Sequence, residues 1–254
     1  MRWRPDLLIT SPNLPPADLE NHVNLEVSLT YADDKVRLAA EGVRPVLPLE
    51  PLMCIPLPRW KRAMDIVGAT IGLVLCSPIM LTAAVAIKLT SKGPAIFKQQ
   101  RAGLGGKPFT FYKLRSMHVG AEAQKADLRP YNEQTGPVFK MANDPRVTPI
   151  GHFIRKWSID ETPQLWNVLN GDMTLVGPRP ATLDEVVCYG AWQMRRLDVT
   201  PGITCLWQVS GRSEIGFGAW VRLDLQYARR ISVLGDLSLL CRTPGAVLSS
   251  RGAH

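Results

Sequence analysis

The feature that most constrains this chain is a stretch of 22 residues, 66–87, that contains no charged side chain. A helix of this length rises about 30 Å and covers the hydrocarbon core of a bilayer. Ser77 and Pro78 lie in its middle. Because proline lacks a backbone donor and its ring clashes with the carbonyl four residues earlier, we expect the helix to break there. The stretch therefore predicts an interrupted membrane segment.

Basic residues flank this stretch on both sides. Arg59, Lys61 and Arg62 precede it, and Lys88 and Lys92 follow it. Because Lys and Arg prefer the cytoplasmic side of a membrane, both ends are expected on the same face. We interpret residues 59–92 as a re-entrant helix-break-helix hairpin. Two alternatives remain, a kinked single span, which membrane helices tolerate, and a buried core helix.

Charge and proline content divide the chain at residue 58. Residues 1–58 hold nine of the 21 prolines, with five basic and eight acidic side chains, whereas the whole chain carries +8. This composition predicts an acidic, proline-rich N-terminal tail, residues 1–58, and a basic body after it. Anionic lipids and phosphorylated ligands would be attracted to that body. No nucleic acid is expected, because the positive charges are dispersed and no nucleic-acid-binding motif accompanies them.

Residues 93–254 have the pattern of a mixed domain. Residues 95–101 and 109–115 predict two strands around a glycine-containing turn, since the turn lacks the spacing of a phosphate-binding loop. A helix is predicted over 119–129. Segments 185–196 and 217–240 mix aromatic and arginine residues, which predicts amphipathic helices either at the membrane interface or packed on the core. The predicted fold class is α+β, mainly helical, in a monotopic membrane protein.

The segment 158–171 combines helix signals with two adjacent carboxylates. Ser158 and Glu161 have the spacing of a capping box, and Gly171 is placed where a helix commonly ends. A second frame begins the helix at Thr162, with the following proline in the first helical position. In either frame Asp160 and Glu161 lie at a helix N-terminus, about a third of a turn apart, and can take different roles. Ordinary capping by acidic residues is the alternative.

Arg179 lies between two prolines, whose fixed φ restrains the backbone around it. A guanidinium held in this way suits a phosphate, because its planar fork offers paired donors. An ordinary turn arginine is the alternative. Lys113, Arg115 and Arg155 are further candidates for phosphate binding.

Nine motifs between residue 59 and the C-terminus occur in a family-specific order. They are KR at 61–62, SP at 77–78, FYKLRSM at 111–117, SIDE at 158–161, PQLWNVL at 163–169, GDMTLVGPRP at 171–180, PGIT at 201–204, WQVSGR at 207–212 and DLQY at 224–227. In this order the motifs resemble the bacterial monotopic phosphoglycosyl transferases. Two positions depart from the family pattern, Thr162 in place of leucine and Cys205 in place of glycine.

The resemblance implies a reaction and a set of roles. Such enzymes transfer a sugar 1-phosphate from a UDP-sugar to a polyprenyl (undecaprenyl) phosphate and release UMP. Asp160 would be the nucleophile, and Glu161, together with Asp160, would hold Mg²⁺. Lys113, Arg155 and Arg179 would neutralise the diphosphate.

The resemblance also implies a location and partners. The hairpin, broken at Ser77 and Pro78, would lie in the bacterial inner (cytoplasmic) membrane, with residues 93–254 as the catalytic domain on its cytoplasmic face. The partners would be the UDP-sugar, the polyprenyl phosphate and membrane lipids, and a homodimer is left open. The reaction would initiate exopolysaccharide, capsule, O-antigen or glycoprotein glycan assembly, with the sugar unspecified.

Two hypotheses from other classes are kept beside this one. The first is a membrane-anchored adaptor, which would need only the hairpin and the basic surface. The second is a glycosyltransferase that moves the sugar without its phosphate. No D-x-D metal motif occurs in the chain to support the second.

Overall fold

Helix α1, Arg59–Thr90, is the longest element of the computed structural model, which describes residues 54–209 and 215–248. Within these residues it is the one helix long and apolar enough to cross a membrane. Pro78 lies inside it, so the predicted helix-break-helix segment is one helix in the structure. Its re-entrant course stays a prediction, as does the division of the chain into segments 1–58, 59–92 and 93–254. The tail predicted over 1–58 lies almost wholly outside the described residues.

Hydroxyl groups replace part of the hydrogen bonding that Pro78 removes. The Val74 carbonyl would normally accept from the backbone N–H of residue 78, which proline lacks. Ser77 Oγ donates to that carbonyl over 2.9 Å. Thr82 Oγ1 lies 3.1 Å from the Pro78 carbonyl. The helix therefore passes the proline with its freed acceptor satisfied.

A hairpin of two antiparallel strands follows α1. Strand β1, Ile96–Ala102, pairs with strand β2, Pro108–Leu114, and the 3-10 turn Leu104–Gly106 joins them. Both strands and the glycine turn agree with the sequence prediction. Paired in this way, both strands contribute residues to the site described below.

The rest of the described chain consists of short helices and one further strand pair. Strands β3, Thr174–Val176, and β4, Gly202–Thr204, are parallel. The helices are α2, Lys125–Leu128; α3, Pro149–Lys156; α4, Gln164–Asn170; α5, Leu183–Val187; α6, Ala191–Met194; α7, Leu206–Val209; α8, Phe217–Ala228; and α9, Val233–Leu248. This mostly helical architecture with few strands confirms the α+β class at that level.

Two details differ from the sequence prediction, and two open alternatives are decided. The helix expected over 119–129 is only α2 and a following 3-10 turn, Arg129–Tyr131. Ser158 caps nothing, because its φ of 54° is left-handed and its side chain makes no capping bond. Helix α4 begins at Gln164, near the second predicted frame, and ends at Gly171 as predicted. In α8, Trp220 and Tyr227 are buried, which favours the core-packing alternative for that helix.

The N-terminal end of α1 is bound to the body of the protein. Arg62 donates to the carbonyls of Val168 and Leu169 at the end of α4, each over 2.6 Å. Lys61 is fully buried and forms an ion pair with Asp236 of α9. These contacts fix the start of the apolar helix to two elements at once.

Two further contacts hold α1 and the segment that follows it. Asp65 Oδ1 accepts from Thr174 Oγ1 at 2.9 Å and from the Leu175 N–H at 2.8 Å, which ties α1 to β3. Beyond the other end of α1, Arg115 donates to the Lys92 carbonyl over 2.6 Å. The apolar side chains in the middle of α1 remain exposed. Both ends of α1 therefore meet the body, and its exposed apolar part lies between them.

Candidate active site

The two adjacent carboxylates lie on a 3-10 turn, Ile159–Glu161, between α3 and α4. Ser158 enters this turn with a left-handed backbone, the one positive φ among non-glycine residues of the described chain. Ile159 packs in an apolar cluster that includes Ile87 of α1, whereas Asp160 lines a cavity with many charged side chains. The turn thus places the carboxylates beside the apolar helix.

All five predicted active-site residues line one cavity of about 520 Å³: Lys113, Arg155, Asp160, Glu161 and Arg179. They come from β2, α3, the 3-10 turn and the loop after β3. Their convergence could not be read from the sequence. The predicted membrane break at residues 77–78 does not line this cavity. The chemical roles assigned to the five residues stay predictions.

The charge around the cavity favours anions. Among the described residues that line it, nine are Lys or Arg and five are Asp or Glu. A cleft with this excess of one sign concentrates ligands of the opposite sign. A diphosphate is therefore a suitable occupant.

Glu161 is paired with Arg179. Arg179 Nη2 donates to Glu161 Oε1 over 2.7 Å. Burial alone would raise the pKa of Glu161, but the guanidinium of Arg179, with Lys113 and Arg101, lowers the pKa below its usual value. Glu161 is therefore a carboxylate at neutral pH.

Asp160 has the opposite character. It is 8% exposed. Burial, together with the negative charge of Glu161, raises the pKa of Asp160 to about 6, against the opposing effect of Lys113, Arg155 and Arg179. At neutral pH it is mostly ionised yet more basic than an ordinary aspartate. Such a carboxylate is a better nucleophile than one whose pKa is near 4.

Several cationic side chains lie near Lys113. Burial and the charge of Arg101 lower the pKa of Lys113 to about 8, with Asp160 acting in the other direction. Arg101 itself has a pKa lowered to about 10 by burial and by Arg179. The cationic side chains of this region lie close together and are not fully balanced by carboxylates. A bound diphosphate would supply the missing negative charge.

Sequence reasoning missed Arg101. It donates to the Pro180 carbonyl over 2.6 Å, and its guanidinium carbon lies 4.4 Å from the centre of the Phe111 ring. The β1–β2 pairing brings it to the cavity. From sequence, Arg101 is predicted only to belong to a strand, and no local motif marks it.

Arg196 was also missed as a site residue. It is buried, donates to Asp224 Oδ2 over 2.6 Å and to the Arg179 carbonyl over 3.1 Å, and lines the cavity. Burial raises the pKa of Asp224 to about 6 although Arg196 opposes that change. Asp224 opens the DLQY motif, so the motif was the available signal. Arg196 holds the backbone of the arginine that pairs with Glu161.

Close backbone packing also fixes the loop that carries Arg179. The Gly202 N–H donates to the Pro178 carbonyl over 2.8 Å. A Cβ on Gly202 would lie 2.1 Å from the Gly177 nitrogen, which no side chain allows. Cys205, the departure noted in the sequence, is buried just beyond β4, and its N–H donates to Gln208 Oε1 over 2.9 Å.

The acidic residues suit a magnesium ion that is shared with a substrate. The part of the chain that the structure describes has no group of three or more His, Cys, Asp or Glu that could hold a metal alone. Mg²⁺ in phosphate-handling sites commonly takes one or two carboxylates and completes its shell with phosphate oxygens and water. Asp160 and Glu161, side by side on the cavity wall, fit that donor set.

The described residues combine one long apolar helix with a cavity that is lined by more basic than acidic side chains and by two adjacent carboxylates, an arrangement that suits a membrane-associated domain with anionic ligands. Comparison with known proteins gives the family: residues 58–250 match the bacterial sugar transferase family, and the chain belongs to it. This confirms the resemblance drawn from the motifs.

Three relatives illustrate the match. The chain is 50% identical over 194 residues to the galactosyl transferase CpsE of Streptococcus agalactiae serotype III (strain NEM316), covering 76% of this chain and 43% of the relative. It is 41% identical over 199 residues to an undecaprenyl-phosphate galactose phosphotransferase of Salmonella typhimurium (strain LT2), covering 76% and 41%. It is 40% identical over 216 residues to a UDP-glucose:undecaprenyl-phosphate glucose-1-phosphate transferase of Caulobacter vibrioides, covering 78% and 75%. The chain thus spans less than half the length of the first two.

Proposed function

We propose that this protein transfers a sugar 1-phosphate from a UDP-sugar to undecaprenyl phosphate or a related polyprenyl phosphate, releasing UMP. The observation that carries the proposal is the convergence of Asp160 with Lys113, Arg155 and Arg179 on one cavity. The names of the relatives support the same substrates. The product would start the assembly of a bacterial surface glycan.

In the first step a carboxylate oxygen of Asp160 attacks the β-phosphorus of the UDP-sugar. The bond between that phosphorus and the bridging oxygen breaks, and its electron pair leaves on UMP. Arg155, Arg179 and Lys113 offset the negative charge of the diphosphate. The enzyme then carries an acyl phosphate, which retains the activation of the original anhydride.

In the second step an oxygen of the lipid phosphate attacks the same phosphorus. The Asp160 carboxylate leaves with its electron pair and is regenerated. Asp160 is ionised at neutral pH, so the first step requires no separate base to activate it. The nucleophile of the second step is the lipid phosphate, which is itself an anion and requires none either. Arg155 and Arg179 hold the incoming phosphate in the place that UMP has vacated.

Asp160 and Glu161 would hold Mg²⁺ together with the diphosphate oxygens. When bound there, the ion would reduce the repulsion between the carboxylate and the phosphate. Arg179 keeps Glu161 ionised by the ion pair described above. Glu161 therefore needs no proton loss before it binds a cation.

The membrane arrangement belongs to the same proposal. Residues 59–92 form a re-entrant hairpin in the bacterial inner membrane, with the catalytic domain on the cytoplasmic face. Support comes from the basic residues on both sides of the apolar stretch and from the packing of both ends of α1 on one body. The acceptor then reaches Asp160 without leaving its leaflet.

The test is a two-stage assay with purified full-length protein, Mg²⁺ and a panel of UDP-sugars. Without acceptor, the active donor should release about one UMP per enzyme and leave a phosphosugar adduct on Asp160, seen by mass spectrometry. With undecaprenyl phosphate, UMP release should become catalytic. Asp160→Asn should abolish both.

Asp184→Asn is the matched control, because Asp184 is an exposed aspartate that does not line the cavity. This variant should retain full activity. Release of UDP rather than UMP would instead support a glycosyltransferase that moves the sugar alone. Unchanged function of Asp160→Asn in cells would support the adaptor hypothesis.

A further inference from the structure

Arg101 lines the active-site cavity, but the reaction steps described above give it no role. It lies in β1, where alternate side chains share one face of the strand. Gln99 and Phe97 are on the same face as Arg101, and Lys113 of β2 is paired opposite Phe97. All four side chains line the cavity. The β1–β2 hairpin therefore presents two cations, Arg101 and Lys113, to the same space.

The guanidinium of Arg101 is held in place by three hydrogen bonds. Nε and Nη2 both donate to Gln99 Oε1, over 3.2 and 3.1 Å. Nη1 donates to the Pro180 carbonyl over 2.6 Å. The guanidinium carbon also lies 4.4 Å from the centre of the Phe111 ring. These contacts set the orientation of the guanidinium before any ligand binds.

Two donors of the same guanidinium remain. An arginine side chain has five N–H groups, and three of them make the bonds given above. The other two, one on each terminal nitrogen, have no hydrogen-bond partner among the residues that the structure describes. A pair of donors on one planar guanidinium matches two oxygens of a phosphate. Arg101 is therefore oriented for a phosphate that it does not need to reorganise to bind.

The charges around the two carboxylates indicate where Arg101 lies along the cavity. Arg101 is among the cations that lower the pKa of Glu161. It is not among the three cations that most affect the pKa of Asp160. Arg101 is therefore on the Glu161 side of the pair, away from the nucleophile. In an in-line displacement the leaving group also lies on the side of the phosphorus away from the nucleophile.

We propose that Arg101 binds the phosphate that leaves with UMP in the first step and the lipid phosphate that replaces it in the second. This inference rests on the proposed function. Both phosphates occupy one place, because each is joined through a single oxygen to the phosphorus that carries the sugar. When that bond breaks in the first step, its electron pair moves to the UMP oxygen, and Arg101 stabilises the charge there. Gln99 is a positioning residue, since it holds the guanidinium.

The test compares four reactions of full-length protein with Mg²⁺ and the active UDP-sugar. Three involve a second phosphate: adduct formation, the return of UDP-sugar from adduct and UMP, and transfer from the adduct to undecaprenyl phosphate. The fourth is hydrolysis of the adduct by water. In Arg101→Met we expect the first three rates to fall about tenfold, because hydrogen bonds to a charged phosphate are lost. Hydrolysis should keep its wild-type rate, because water brings no second phosphate.

Lys98→Met is the matched control. Lys98 lies on the opposite face of β1, is exposed, and does not line the cavity. Like Arg101 it lies over an aromatic ring, with Nζ 5.9 Å from the centre of the Tyr112 ring. This variant removes one positive charge from the same strand and should leave all four rates within about twofold of the wild type.

Two milder variants carry the test if Arg101→Met does not fold. Arg101→Lys keeps the charge but loses the paired donors, and Gln99→Ala releases the guanidinium but keeps it. Each should slow the three reactions that involve a second phosphate by less than Arg101→Met and leave hydrolysis unchanged. Titration of UMP into each protein provides a second measurement. The Kd for UMP should rise about tenfold in Arg101→Met and stay unchanged in Lys98→Met.

The outcomes distinguish this inference from the proposed function. If wild-type protein forms no adduct, the proposed function fails. If the adduct forms but the Arg101 variants slow hydrolysis as much as the other three reactions, Arg101 has only a structural role and this inference alone is overturned. Wild-type rates and a wild-type Kd for UMP in the Arg101 variants would also overturn it. A loss confined to the reactions of the second phosphate supports it.

Discussion

At the scale of single residues, the notable feature is that two adjacent carboxylates have opposite pKa changes. Arg179 pairs directly with Glu161 and lowers its pKa, whereas burial raises the pKa of Asp160 to about 6. Environments that separate the pKa values of two neighbouring acids commonly mark different catalytic roles. Here the separation agrees with a cation-holding Glu161 and a nucleophilic Asp160.

The first prediction concerns stability. Because the folded-state pKa of Asp160 is raised from 3.8 to about 6, folding becomes less favourable as the pH rises through that interval. The side chain of the Asp160→Asn variant does not ionise, so the variant does not lose stability in this way. In metal-free protein we expect the variant to be more stable than the wild type by about 1–3 kcal/mol above pH 6, with the difference vanishing near pH 4.

Thermal or denaturant unfolding of both proteins at a series of pH values measures this difference. Asp184→Asn, at the exposed control position, should show no such dependence. A stability difference that is the same at pH 4 and pH 7 would contradict the raised pKa.

The second prediction concerns the buried pair of Arg196 and Asp224. Asp224→Asn leaves the guanidinium buried without its countercharge, and we expect about 3 kcal/mol lower unfolding free energy. Adduct formation should slow about tenfold, because Arg196 also donates to the Arg179 carbonyl.

The double variant Arg196→Met/Asp224→Leu separates the two effects. It should regain most of the stability, since apolar side chains can replace a buried ion pair. Its adduct formation should remain slow. Full recovery of both properties would show that Arg196 does not position Arg179.

The sequence predicted the residues of the site better than their arrangement. Asp160, Glu161 and Arg179 lie in local motifs, so local reasoning found them. Arg101 reaches the cavity through strand pairing, which no local pattern encodes. Arg196 reaches it through a buried ion pair with Asp224, whose motif is local but does not reveal its partner. The capping role expected of Ser158 was wrong, because the chain turns there with a left-handed backbone.

At the scale of elements, α1 is joined to the catalytic body by buried polar contacts. Lys61 and Asp236 form a buried ion pair, and the Tyr227 hydroxyl donates to Asp236 over 2.9 Å and also lies 2.8 Å from the Val176 carbonyl. This network connects α1, α8, α9 and β3. Its partners are distant in the chain, so their pairing could not be predicted from local sequence.

The third prediction is a strong coupling within that network. Lys61→Met leaves Asp236 as an uncompensated buried charge and should lower the unfolding free energy by about 3–5 kcal/mol. Asp236→Asn should have a comparable effect. The double variant should lose much less than the sum of the two, as a double-mutant cycle of denaturant unfolding would reveal. Additive losses would contradict a direct pair.

Elements with strong local signals were predicted well. The β1–β2 hairpin and the end of α4 at Gly171 follow from alternation and from a glycine that takes φ of 90°. The helix expected over 119–129 is mostly replaced by turns. Its residues line the cavity near Arg146 and Asp144, and Arg146 donates to the Ala121 carbonyl over 3.1 Å. Tertiary contacts therefore outweigh local helix propensity in that segment.

At the scale of the whole molecule, the proposed hairpin makes a prediction about sidedness. We expect Arg59→Cys and Lys92→Cys, each in a background whose native cysteines are serine, to react with a membrane-impermeant maleimide from the cytoplasmic side only. Inside-out and right-side-out vesicles provide the two directions. Native Cys76, kept alone, should react from neither side. Labelling of the two engineered positions from opposite sides would establish a straight span.

The attachment of α1 to the body has a consequence for the lipid environment. Arg62, before the apolar segment, binds the backbone at the end of α4, and Arg115 binds the Lys92 carbonyl after the segment. The depth of the segment and the height of Asp160 above the hydrocarbon boundary are therefore set together. With the proposed hairpin, thicker or thinner bilayers would move the nucleophile relative to the phosphate layer. We therefore expect the length of the lipid acyl chains to change the rate of the half-reaction with the lipid acceptor. The rate of the half-reaction with the soluble donor should stay the same.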